Sequence, residues 1–378
     1  MADPVTTSPV IVIGAGPAGL AVGVCLKRAG IRSILLERAA DVGSSWRHHY
    51  ERLHLHTDRR NSALPFMSFP PGTPRYASRD QVVSYLENYA DRSGLDIRFG
   101  CSVSEARRTD AGWEVTTRDG RFESDYLVVA TGNARIPNSP TWPGLAAYGG
   151  RVLHSSEYLN GEGFRGQRVL VVGFGNSGGE IAIDLTESGA QAALAVRSAV
   201  NVIPKEVLGI PILSIAIAQK RLPPAVADAV NGPVLRVTVG DITKYGLVKL
   251  PYGPAMQISK DRQIPLIDIG TMALIKRGTV RVHPGIASFT PHGVRFVDGS
   301  EADFDAVILA TGYRARIDEF LDAADALDAN GAPVKSGYEA GMPGLYFCGY
   351  HVAETGMLRE MGIEARRIAE SISERVPR

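Results

Sequence analysis

The apolar residues of this chain fall into short, strongly hydrophobic runs separated by glycine turns and by stretches of helical spacing. Val10-Ile11-Val12-Ile13 is followed at once by Gly14-Ala15-Gly16-Pro17-Ala18-Gly19; helical spacing then runs to Gly30, and a second run, Ile34-Leu35-Leu36, ends on Glu37. That order predicts a strand, a glycine turn, a helix and a strand. It returns in Val169-Leu170-Val171-Val172, Gly173-Phe174-Gly175-Asn176-Ser177-Gly178, a helix as far as Gly189 and a strand over 192–196. The second copy ends on Arg197 and Ser198 where the first has an acid.

Between and around these copies the pattern predicts an amphipathic helix over 79–91 and strands near 97–99, 113–116 and 126–130. Ala130-Thr131-Gly132 ends one apolar strand, and Ala310-Thr311-Gly312 ends another over 304–309, a repetition that points to two related nucleotide-binding halves. Gly344-Leu345-Tyr346-Phe347-Cys348-Gly349 reads as a further strand entering a turn, and 356–372 as a closing helix.

Each glycine in the first turn has a physical reason. Gly14 permits the tight turn, Gly16 lets backbone approach a pyrophosphate, and Gly19 lets the helix lie close to the strand, while the helix N-terminus offers free N–H groups and a partial positive charge. Glu37 stands near the usual spacing of roughly 20 residues for an acid on a ribose hydroxyl. Such an acid suits FAD or NAD, whose 2′-hydroxyl is free. A guanidinium with a hydroxyl, Arg197 with Ser198, suits the 2′-phosphate of NADP(H), the alternative being an exposed arginine beside NADH.

Composition narrows the class. With 378 residues, 44% apolar and 21% charged, the chain is a soluble protein of about two domains, and a formal net charge of +1 gives no reason to expect nucleic acid or an acidic membrane as partner. Residues 1–9 lack the pattern of a signal peptide, so a cytoplasmic protein is expected. Cys25, Cys101 and Cys348 show no CxxC spacing, which argues against a dithiol redox centre and a structural zinc. His48, His49, His54 and His56 invite a metal reading, but no carboxylate or thiol stands at a ligand spacing; a loop lining the cofactor is preferred, with Leu53 and Leu55 on one face of a short strand and the histidines on the other. Residues 207–218 are too short to span a membrane and are interrupted by Pro211; a lid or substrate wall, a packing helix and a monotopic membrane contact are the readings open.

Tyr148-Gly149-Gly150-Arg151-Val152-Leu153-His154-Ser155-Ser156-Glu157-Tyr158 resembles the FxGxxxHxxxY signature of class B flavin-containing monooxygenases, with tyrosine leading. Leu53 to Thr57, Leu64-Pro65-Phe66-Met67-Ser68-Phe69-Pro70, Pro204 to Gly209, Pro265 to Thr271 and Gly344-Leu345-Tyr346 narrow the likeness to the YUCCA-type, indole-3-pyruvate monooxygenase-like branch. The resemblance implies an α/β fold of two Rossmann-like dinucleotide-binding domains. Residues 1–150 and 296–378 would form a discontinuous FAD domain into which an NADPH domain, 151–295, is inserted together with a substrate-side segment. It also implies a flavin that reacts with O2 to a C4a-(hydro)peroxide and oxidatively decarboxylates an aryl pyruvate, with N- or S-oxygenation or Baeyer-Villiger oxidation as the alternative. Pyridine-nucleotide disulfide reduction is disfavoured by the cysteines.

The expected FAD contacts are Gly14, Gly16, Pro17, Ala18, Gly19, Glu37 and Arg38, then Ser45, Trp46, Thr57 and Val103, and finally Thr131, Gly132, Gly349 and Met357. Gly173, Gly175, Asn176, Ser177, Gly178, Arg197 and Ser198 are expected at NADP. Where the wider class has asparagine in a TNxPK-like stretch this chain has Asp58, which becomes the catalytic candidate. A small-molecule substrate and O2 are the expected partners, and a homodimer is the candidate oligomer.

Overall fold

The computed structural model describes residues 5–376. Two five-stranded parallel sheets carry the fold. In the first, the strands Leu345–Phe347, Tyr126–Val129, Val10–Ile13, Ser33–Leu36 and Asp96–Arg98 lie side by side in that order. In the second the order is Arg151–His154, Ala306–Leu309, Arg168–Val172, Gln191–Ala195 and Arg281–His283. Val10, Ile11 and Val12 and, in the second copy, Val169, Leu170 and Val171 are fully buried, because both faces of each sheet are covered.

The covering layers match. Helices Pro17–Arg28, Arg79–Ser93 and Met357–Ser373 close one face of the first sheet, and the antiparallel strands Val103–Thr109, Gly112–Thr117 and Gly120–Ser124 close the other. Helices Asn176–Glu187 and Thr271–Lys276 cover one face of the second sheet, and the antiparallel strands Ile286–Phe289, Gly293–Phe296 and Glu301–Asp303 the other. Ser78 opens the helix Arg79–Ser93 with a reciprocal capping box to Gln81, and Gly94 closes it in the left-handed conformation. The chain leaves the first unit along Ile136–Pro137 and returns along Tyr313–Arg314, and these two pieces pair antiparallel as a tie between the units.

Two expectations need correction. The boundary at 295/296 cuts through the second unit, because Ala306–Leu309 inserts between Arg151–His154 and Arg168–Val172 and the return to the first unit follows it. Residues 53–57 do not form a strand; the chain is held there by a single bridge between His54 and Ser78, and Leu53 and Leu55 pack into the cores of different units.

The segment 202–268 lies between strands Gln191–Ala195 and Arg281–His283 as an insertion in the second unit. Its apolar stretch folds as a small hairpin, Glu206–Val207 with Ile210–Pro211, followed by the helix Ile212–Gln219. Among the described residues no helix is long and apolar enough to cross a membrane.

Candidate active site

A cavity of about 1180 Å³ opens between the two units and the insertion. Its floor is the first glycine turn, where Gly14, Gly16, Pro17 and Ala18 line the wall, with Glu37 and Arg38 at the end of the next strand. Ser45, Trp46, Thr57 and Val103 line its sides, and Thr131, Gly132, Gly349 and Met357 the end nearest the first sheet. Gly19 does not reach the cavity: a Cβ there would stand 1.9 Å from the carbonyl oxygen of Gly14, so its role is to let helix and turn touch. A Cβ on Gly16 would meet nothing within 4 Å and would project into open space. The helix Pro17–Arg28 starts there with no side-chain cap, so its first N–H groups are free for a phosphate. This cradle fits a dinucleotide.

The charges around it are placed by the backbone. Glu37 accepts hydrogen bonds from the N–H groups of Ala15, at 2.7 Å, and Ala39, at 2.9 Å, which fixes its carboxylate at the turn. Met357 begins a 17-residue helix whose N-terminus faces the cavity and directs partial positive charge at whatever lies there. Behind Gly349 is a group that the sequence reading missed: Glu364, buried, accepts from the Gly349 N–H at 2.6 Å, and burial pushes its carboxyl above the usual range. Tyr350, also unforeseen, shares a 2.8 Å hydrogen bond with the Thr131 hydroxyl.

The second glycine turn repeats the first. Gly175 has open space where a Cβ would be, and Gly178 would bring one within 2.3 Å of the Gly173 carbonyl oxygen. Asn176 and Ser177 line the shared cavity; Gly173, Gly175 and Gly178 form the turn outside its wall. Arg197 and Ser198 lie exposed just past the strand Gln191–Ala195, and the Arg197 guanidinium makes no hydrogen bond or ion pair with another described residue. It is free for an anion.

The pattern around His154 is structural. Gly312 O accepts from His154 Nε2 at 3.0 Å and the Ser156 N–H donates to Nδ1 at 3.1 Å, so the ring is neutral with its proton on Nε2. Burial lowers its pKa in the same direction. Tyr148 donates to the Phe304 carbonyl at 2.8 Å and Tyr158 to Asp184 at 2.6 Å. These bonds fasten the second unit's first strand and helix.

Asp58 is not part of the cavity wall. It is buried, with Oδ1 accepting from the N–H groups of Arg60 and Asn61 and Oδ2 from the Asn61 side chain at 2.7 Å. A carboxylate so occupied caps a turn, which corrects the catalytic expectation. Asp58→Ala is therefore expected to lower stability by about 1–3 kcal/mol and leave kcat within about threefold. Chemical denaturation and steady-state rates measure both; a folded variant with kcat reduced a hundredfold would return Asp58 to the chemistry.

The four clustered histidines all line the cavity, and three of them are taken by separate partners. His48 bonds Ser44 O, His54 bonds Arg52 O, and His56 crosses to the second unit. The cysteines are all buried and unpaired, and burial pushes the Cys25 thiol up to about 11 and Cys348 well above its ordinary value. Dithiol exchange needs two neighbouring cysteines, and among the described residues these three stand unpaired.

Residues 11–207 match the family model described as pyridine nucleotide-disulphide oxidoreductase. The chain is 39% identical over 349 residues to the rice (Oryza sativa subsp. japonica) indole-3-pyruvate monooxygenase YUCCA1, covering 90% of this chain and 86% of that protein. It is 38% identical over 384 residues to indole-3-pyruvate monooxygenase YUCCA6 of Arabidopsis thaliana, covering 97% and 90%. Among solved structures it is similar to the flavin-containing monooxygenase of Stenotrophomonas maltophilia, with a TM-score of 0.74, 24% identity and coverage of 98% and 99%. The chain belongs to the class B flavin-containing monooxygenases, in their YUCCA-type branch, and is a monooxygenase that uses FAD and NADPH.

Proposed function

We propose that this enzyme oxidatively decarboxylates an aryl pyruvate of the indole-3-pyruvate type. One keto acid, one O2, one NADPH and a proton give one aryl acetate, one carbon dioxide, one water and NADP+. The observation that supports this reading is the wall contributed by the insertion. Ile212, Leu213, Ile215 and Ala216 from the helix Ile212–Gln219, with Ile258 and Ile264, face the cavity, and the only cations of the insertion that line it are Lys220 and Arg262. Neither cation enters an ion pair among the described residues. An apolar slot with unpaired positive charge at its edge suits an aromatic ring carrying a carboxylate.

In this reading the first cradle holds FAD and the second holds NADPH by its pyrophosphate, with Arg197 at the 2′-phosphate. When bound, reduced FAD supplies the activation of oxygen. The chain supplies placement. The apolar insertion helix covers the cavity and excludes water from it, and Lys220 or Arg262 holds the carboxylate so that the neighbouring keto carbon is presented in one orientation. A cytoplasmic location and a homodimeric state belong to the same proposal; sedimentation of the purified holoenzyme checks the second.

Product analysis decides the substrate. Purified holoenzyme given NADPH, air and indole-3-pyruvate labelled at C1 is expected to release labelled carbon dioxide in step with NADPH oxidation. NADPH oxidation with no labelled gas would remove the decarboxylation reading, and N-oxide or sulfoxide formation from amines or sulfides, or ester from ketones, would put the alternative in its place.

A further inference from the structure

Where the two units meet at the cavity, the chain buries an acid that neither cradle explains. Glu180 lies on the helix Asn176–Glu187, two residues past the last glycine of the second turn, and is 2% exposed. Its Oε1 accepts from His56 Nε2 at 2.6 Å, and His56 belongs to the first unit's segment between Trp46 and the helix Arg79–Ser93. The other oxygen, Oε2, is buried with no hydrogen-bond partner among the described residues. The Tyr50 hydroxyl stands beside Glu180 and Ser177, and Tyr50 is held well above its ordinary pKa by burial and by the charge of Glu180. Glu180, His56, Tyr50, Ser177 and Asn176 all line the shared cavity.

Such a group is costly. A buried hydrogen-bonded polar pair seldom stabilises a fold more than apolar residues of the same volume, and a carboxyl oxygen without a partner adds to the cost. The surrounding interface has contacts of its own, with Leu53 and Tyr50 packed into the second unit's core and Arg52 paired with Glu187, so adhesion between the units does not require the pair. What the pair adds is direction. A hydrogen bond of 2.6 Å fixes one helix against one loop in distance and angle, and these carry the second glycine turn and the flank of the first cradle.

We propose that Glu180, held by His56, is a positioning residue for hydride delivery. Arg197 and the glycine turn hold the adenylate half of NADPH at the far side of the helix, so the nicotinamide half extends into the cavity past Asn176, Ser177 and Glu180. The pair sets how that half meets the flavin. The inference rests on the assignment of the second cradle to NADPH.

The test uses FAD-loaded wild type, Glu180→Ala, His56→Ala, the double variant and Glu180→Gln, which keeps an acceptor for His56 Nε2. Three measurements separate positioning from folding: affinity for 2′,5′-ADP, which has no nicotinamide; the long-wavelength absorbance that appears when NADP+ stacks on photoreduced flavin; and the rate of flavin reduction at saturating NADPH. Each alanine variant is expected to reduce at least tenfold more slowly and to lose the long-wavelength band, with 2′,5′-ADP affinity within twofold of wild type. The double variant should be no slower than the worse single variant, and Glu180→Gln should recover most of the rate. Unchanged rates and band, additive losses in the double variant, or equal loss of 2′,5′-ADP affinity overturn the proposal. Should Glu180→Ala not fold, His56→Gln and Glu180→Gln carry the test: a tenfold loss in the first with retention in the second supports it, and equal behaviour overturns it. A wild type that does not bind 2′,5′-ADP would overturn the cradle assignment itself, a result distinct from unchanged variants on an intact cradle.

Discussion

Gly19→Ala is expected to yield a protein without flavin and with a weakened first unit. The added Cβ would lie 1.9 Å from Gly14 O and 2.9 Å from Gly14 C, both backbone atoms. Gly14 cannot yield. Its φ is +103°, its N–H donates to Leu36 O at 2.8 Å, and a Cβ of its own would already stand 2.7 Å from Ala130 O, so the turn is wedged between the central strand and its neighbour. The helix must then move outward, against the closing helix Met357–Ser373 that packs on it. Some turns of this type accept alanine at the third position, but only where the helix stands further off. Overpacking of this kind costs about 1–3 kcal/mol and occasionally more, and here it also tilts the N–H groups away from the phosphates. Gly16→Ala is the partner experiment. Its methyl group enters open cavity, so the apo protein should melt as wild type does while FAD affinity falls at least about tenfold, equivalent to 1.4 kcal/mol. Flavin-to-protein absorbance ratios and melting of the apo proteins give both quantities. A Gly19→Ala protein with full FAD and an unchanged melting temperature would show that the contact is not as close as described.

The glycine cradles could be read from the sequence because their requirements are local. A buried run, a turn needing positive φ and a helix start follow within twenty residues, and the backbone of Gly14 and Gly173 adopts the same left-handed region in both copies. Strand order is another matter. Phe304 to Leu309 is apolar enough for either sheet, and only pairing with Arg151–His154 and Arg168–Val172, over 130 residues away, decides it. Asp58 misled for a related reason: alignment to a motif gives a position, whereas its hydrogen bonds to Arg60 and Asn61 determine what the carboxylate does. Glu180 lay beyond reach of a local reading because its partner His56 stands 124 residues earlier. Local stereochemistry is legible in a single chain; meetings between distant segments are not.

Arg197→Ala is expected to raise KM for NADPH about 10- to 150-fold while leaving KM for NADH within about twofold, the loss of a charge-assisted contact of roughly 1.5–3 kcal/mol. Arg197 follows the strand Gln191–Ala195 one residue beyond Val196, which holds the place that Glu37 holds in the first copy. Its guanidinium engages no described residue, so substitution removes nothing else from the fold. The contrast with Glu37, whose carboxylate is already fixed by Ala15 and Ala39, is what separates the two cradles chemically. Because the 2′-phosphate is remote from the transferred hydride, the interaction is the same in the ground and transition states, and kcat at saturating NADPH should not change. Two refinements follow from the exposure of the side chain. The discrimination between NADPH and NADH should shrink as ionic strength rises, since an exposed pair is screened within about 10 Å at 0.1 M salt. Arg197→Lys should retain part of the preference, because the charge remains while the bidentate geometry is lost. Equal changes in KM for the two nucleotides would release Arg197 from this role, and the preference for NADPH would then have to reside in Ser198 or in the loop beyond it.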